Sequence, residues 1–73
     1  MNYYIAYKDN NGKDFNGQPW IIPNGGFEEL AFAKLVANDF INRGFNNVTL
    51  FGCNEPLDEE IDWQFVEENK IIE

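Results

Sequence analysis

Apolar and polar residues alternate between Tyr3 and Lys8, with Tyr3, Ile5 and Tyr7 on one side and Tyr4, Ala6 and Lys8 on the other. A period of two in β-forming residues predicts a strand. Asp9-Asn10-Asn11-Gly12 is a run of turn formers, so residues 13–15 are expected to return as a short strand and complete an N-terminal hairpin. Asn16-Gly17-Gln18-Pro19 breaks that pattern. Trp20-Ile21-Ile22 then forms an apolar plug between Pro19 and Pro23, too short to register as an element.

The period changes at residue 27. Residues 27–43 contain neither Gly nor Pro, and Leu30, Ala33, Val36/Ala37, Phe40 and Ile41 recur at three-and-four spacing, the stripe of an amphipathic helix. Gly26 stands at the expected cap with Glu29 three residues on. Glu28 and Glu29 in the first turn and Arg43 in the last suit the helix dipole. Lys34, Asn38 and Asn42 mark the wet face. Gly44 occupies the position after the C-cap, where a left-handed residue closes the helix and lets Phe45 fold back on the last turn.

Residues 47–51 read as a strand, and residues 52–56 as a break. Beyond them two periods compete. Ile61, Trp63 and Phe65 alternate with Asp62 and Gln64, whereas Leu57, Ile61 and Phe65 fit a helix at four-residue spacing. The alternation favours a turn at 56–60 and a strand at 61–66; residues 70–72 either pair as a final short strand or form a tail. The expected fold is a single small α+β domain over residues 1–73, with one amphipathic helix packed on a mostly antiparallel sheet of three to five strands. Many unrelated proteins share that plan, so function must be read from sites.

Composition narrows those sites. A disulfide-free domain of 73 residues buries only about 60% of its unfolded surface. Seven Phe, three Tyr and two Trp are the material from which so small a core can be filled. The chain has no His and no Ser, which excludes a His general base, a Ser nucleophile and a His-ligated metal. Cys53 is the single cysteine, consistent with a reducing cytoplasm, and with no His in the chain and Glu55 the nearest charge in sequence it reads as a small filler rather than a nucleophile. Met1-Asn2-Tyr3-Tyr4 lacks the basic start and apolar run of a secretory leader, and no stretch is long enough to span a bilayer.

Two loops and the supply of carboxylates invite a chemical reading and fail it. A calcium loop around Gly12 needs an acidic ligand where Tyr7 stands and a Glu where Gln18 stands. A phosphate cradle at Pro23-Asn24-Gly25-Gly26 is followed by Glu28 and Glu29 rather than by Lys or Arg. Carboxylates for acid–base work are plentiful, but one small core leaves little material for the walls of a substrate cleft. No catalytic residue, metal ligand or cofactor site is assigned, and the expectation is a non-enzyme.

Charge supplies the remaining signal. The chain carries a net −8, and it is unevenly placed. Residues 1–53 hold Asp9, Asp14, Glu28, Glu29 and Asp39 against Lys8, Lys13, Lys34 and Arg43, a net −1. Residues 54–73 hold Glu55, Asp58, Glu59, Glu60, Asp62, Glu67, Glu68 and Glu73 against Lys70 alone, a net −7. An acidic edge of this kind aids solubility and blocks strand pairing. It also fits a basic partner: carboxylates on one face of a strand recur at about 6.6–6.8 Å, the order of the spacing of neighbouring phosphates. Such a surface repels nucleic acid and anionic membranes, yet can occupy a channel built for nucleic acid. In size and charge the chain resembles the small acidic phage-encoded inhibitors of host defence or repair enzymes, namely the anti-CRISPR, anti-restriction and glycosylase inhibitors. That resemblance implies a nucleic-acid mimic blocking the basic channel of a nucleic-acid-processing enzyme in the host cytoplasm of a phage-infected bacterium. The partner-binding residues would be Glu55, Asp58, Glu59, Glu60, Asp62, Glu67 and Glu68, with Trp63, and with Phe65 or Tyr4 if exposed, as anchors. The alternative is a structural homodimer or complex subunit with an aromatic interface, its acids merely solubilising. A small-molecule or metal-binding module stands third.

Overall fold

A computed structural model describes every residue except 56, 58–60 and 72–73. Its described elements run β1 (Asn2–Lys8), β2 (Trp20–Phe27), α1 (Leu30–Asn42), β3 (Asn46–Cys53) and α2 (Trp63–Asn69). The strands form one antiparallel sheet in the order β2-β1-β3, with β1 at its centre. The domain is α+β, as the two periods predict, and both faces of the sheet are covered.

The alternation in β1 decides what lies on each face. Tyr7 meets Phe40 of α1 and Phe45 just after it, at 4.9 and 5.2 Å between ring centres. Burial among these rings raises the pKa of the Tyr7 phenol. Tyr4 and Ala6 face the other way, into a core of Tyr4, Ala6, Phe51, Ile61 and Val66. The Tyr4 and Phe51 rings stack at 5.6 Å, and Phe65 of α2 meets Phe51 edge-on at 6.2 Å. Ile5 on the α1 face is fully buried.

The N-terminal hairpin is larger than its sequence predicts. Asp9 closes the first turn, its carboxylate accepting the Asn11 and Lys13 N–H groups at 2.9 and 2.8 Å. Residues 13–15 form no strand; Phe15 and Gln18 pair through a two-residue turn at Asn16-Gly17. The strand partner of β1 is β2, which includes the Trp20-Ile21-Ile22 plug. Tyr3 pairs with Phe27 and Ile5 with Ile22, so the four residues 23–26, with a cis Ile22–Pro23 bond, bulge opposite Tyr4 alone. At Gly26 the backbone has φ +81°, and a Cβ there would lie 2.6 Å from the Asn2 Cβ and 3.0 Å from the Tyr4 ring. Gly26 is therefore a close-approach point of the sheet, not the expected helix cap.

Because Phe27 is held in the ladder, α1 begins at Leu30 rather than at residue 27. Glu29 takes the N-cap without a side-chain cap bond, and Glu28 precedes it, so neither lies in the first turn. Ala33 and Ala37 are the buried contacts, with Leu30, Val36 and Phe40 half-buried beside them. Ile41, expected in the stripe, is exposed, as are Phe32 and Leu35. Phe40 and Phe32 reach the sheet from the flanks of the helix, packing on Tyr7 and Phe27 at 4.9 and 5.3 Å between ring centres. The helix ends as its sequence predicts: the Gly44 and Phe45 N–H groups donate to the Ile41 and Phe40 carbonyls, Gly44 has φ +91°, and Phe45 packs on Phe40.

The segment at 61–66 is not the expected strand. Its described part enters α2 at Trp63, and the expected turn at 56–60 lies largely outside the described residues. After α2 the chain returns beside β3: Lys70 bridges to Phe51, and the Ile71 N–H donates to the Leu50 carbonyl at 2.9 Å. That pairing covers the outer edge of β3, which otherwise offers unpaired backbone groups.

Candidate functional site

The acidic segment is built into the fold from its apolar side. Ile61 is buried, Val66 is fully buried, and Leu57, Trp63 and Phe65 pack against the same core as Tyr4 and Phe51. With those residues turned inward, the polar ones between them face water: Glu55, Asp62, Gln64, Glu67 and Glu68 are all exposed. Asp58, Glu59 and Glu60 lie outside the described residues.

The described acids differ in what already engages them. Asp62 caps α2, its carboxylate accepting the Phe65 N–H at 2.8 Å, so this acid has a structural task besides any binding role. Glu67 lies 2.9 Å from the Lys70 ammonium, an exposed pair of small energetic weight. Glu68 accepts from the Gln64 amide at 3.1 Å along the helix. Trp63 is half-buried; its indole N–H donates to Asp14 at 2.9 Å, and the Lys8 ammonium lies 5.8 Å above its ring. These contacts tie α2 to the N-terminal hairpin. Of the other anchors considered, Tyr4 is only 2% exposed and Phe65 is half-buried. Tyr4 therefore does not meet the condition of exposure beside the acids.

The remaining loops carry structure. Asp9 is turned in on its own backbone, and the Gly-containing run at 23–26 belongs to β2. Cys53 is the last residue of β3, half-buried and free. Among the described residues no three of Cys, Asp or Glu gather as a metal site, and no helix is long and apolar enough to cross a membrane.

One feature has no counterpart in the sequence reading. A cleft of about 430 Å³ opens between the 15–18 turn and β2 on one side and Leu57 and Ile61 on the other. Its rim is Phe15 and Trp20, with ring centres 5.6 Å apart and exposures of 55% and 40%. The signal that could have located this rim is Asn16-Gly17, the strongest short hairpin dipeptide, which sets Phe15 and Gln18 opposite each other. Compared with protein-family models, with curated proteins and with solved structures, the chain finds no match.

Proposed function

We propose that the protein is a non-enzymatic, acidic protein-binding domain that presents its C-terminal carboxylates to a basic surface of a nucleic-acid-processing enzyme and thereby excludes nucleic acid from it. One observation carries the reading. Ile61 and Val66 anchor the described part of the segment that holds a net −7, so Asp62, Glu67 and Glu68 stand at the start of or on an ordered helix. Carboxylates held in place lose less conformational freedom on binding, which favours a real docking surface over a solubilising one. The compartment that goes with this reading is the cytoplasm of a phage-infected bacterium. A homodimer remains the second reading, favoured by the exposed Phe32 and Leu35 on the outer side of α1.

Charge-matched reversals test it. Glu67→Lys with Glu68→Lys changes the net charge as much as Glu28→Lys with Glu29→Lys, and all four positions are exposed. Asp9 and Asp14 are unsuitable controls, since both carboxylates accept structural hydrogen bonds. Immobilised parent protein should capture a nucleic-acid-processing enzyme from bacterial lysate, and release it with rising salt or added DNA. The 67/68 reversal should lose capture and the 28/29 reversal should keep it. Capture that ignores salt and DNA, or that falls equally in both variants, would contradict the proposal.

A further inference from the structure

We infer that the cleft between the Phe15–Trp20 rim and the Leu57–Ile61 wall is the docking groove for a basic, extended segment of the partner protein. The segment seats an apolar side chain between the walls, and its Lys or Arg flanks meet Glu55 and Asp62, the described acids that neighbour Leu57 and Ile61 in the chain. This rests on the reading above and names the contact through which it works.

Both walls are fixed before anything binds. Phe15 and Gln18 exchange backbone hydrogen bonds at 2.8 Å across their turn, which holds the Phe15 ring beside Trp20. Ile61 belongs to the core of Tyr4, Phe51 and Val66, with Leu57 packed against that core. Two large rings left open beside each other are costly in a domain with so little core material, and aromatic-lined grooves are a recurrent platform for extended peptides. Gln18 and Asn24 also line the cleft and offer amide groups to a peptide backbone.

Charge selects the occupant. Leu57 and Ile61 belong to the segment with a net −7; Glu55 and Asp62, close to them in sequence, are exposed, and no Lys or Arg lines the cleft. A second copy of this chain brings a net −8 to that segment, and nucleic acid brings charge of the same sign. A basic peptide gains from both the rings and the field, with the rings supplying the anchor and the charges the encounter rate.

The test is selection from a display library of random peptides over the intact protein, followed by affinity measurement on the winners. Enriched sequences should combine Lys or Arg with a central apolar residue and weaken steeply with salt. Trp20→Ala should lower their affinity by about tenfold or more, while Phe32→Ala, at a comparably exposed ring on α1, should leave it unchanged. Glu55→Lys, at an exposed acid two residues before Leu57, should also weaken it. The thermal melts of the variants check that each is folded. An absence of enrichment, winners without basic residues, or undiminished binding to Trp20→Ala overturns the groove. The lysate experiment separates the two ideas. Partner capture that survives Trp20→Ala but not the 67/68 reversal overturns the groove and leaves the acidic-surface reading standing. Basic peptides held at Trp20, with no salt-sensitive partner in lysate, support the groove and sink that reading.

Discussion

On one face of the sheet, a thirteen-residue helix sets two alanines, Ala33 and Ala37, against the strands and leaves Phe32, Leu35 and Ile41 in solvent. On the other face, a seven-residue helix and the residues before it bring Ile61 and Val66 onto Tyr4 and Phe51, which are almost wholly buried. Each helix buries little by itself, Ala33 and Ala37 from α1 and Val66 from α2; the second face owes its larger buried cluster to Tyr4, Phe51 and Ile61. The difference teaches that the described part of the acidic segment is divided by side: Ile61 and Val66 close the better-buried core, and Glu55, Asp62, Glu67 and Glu68 face water. Acidity here decorates a structural wall.

If the α2 face is the stronger core, Phe51→Ala should be the most damaging of the substitutions considered, at about 3–5 kcal/mol in urea unfolding. Phe40→Ala, on the α1 face, removes a half-buried ring and should cost about half as much. The reverse order would show that the aromatic cluster of Tyr7, Phe40 and Phe45 is the main core. Two of the four glycines with positive φ, Gly26 and Gly44, give the next comparison. Gly26→Ala places a Cβ against Asn2 and Tyr4 and should cost about 2–3 kcal/mol. Gly44→Ala meets nothing within 4 Å and carries only the backbone term, about 1 kcal/mol. Equal effects in thermal melts would mean that the sheet gives way at Gly26.

The smallest effects concern the helix starts. Asp62→Ala deletes the side-chain cap of α2 and should cost about 1 kcal/mol. Glu29→Asp, at the uncapped start of α1, should change stability in the opposite direction by about 0.5 kcal/mol. A destabilised Glu29→Asp, measured by the same urea titration, would show that the α1 start is already satisfied in another way.

Which parts were legible follows from the same physics. β1 announced itself because its alternation is uninterrupted, and the α1 terminus because Gly44 and Phe45 form a local motif that needs no distant partner. β2 was hidden: Pro23, Gly25 and Gly26 look like breaks, and only the ladder to Tyr3 and Ile5 makes a bulged edge strand of them. α2 is ambiguous in sequence because Ile61 and Phe65 satisfy both periods at once. Packing of Val66 onto Phe51 and the Asp62 cap favour the helix. Ile41 entered the expected stripe on spacing, yet spacing does not tell how wide a stripe the sheet covers. The cleft was out of reach, since its walls come from segments about forty residues apart and meet only in the fold. The acidic imbalance was fully legible; the inward side of the same segment was not.

Native-state amide hydrogen exchange tests the dual role of the acidic segment most directly, because it reads the parent chain without substitution. The Val66 N–H, bonded to the Asp62 carbonyl, and the Ile71 N–H, bonded to Leu50, are the reporters. If the segment is a wall of the core, both should open with free energies within about 1 kcal/mol of the slowest β1 amides. Exchange of both reporters near unprotected rates, with β1 still fully protected, would contradict it and return the acids to the role of a solubilising extension.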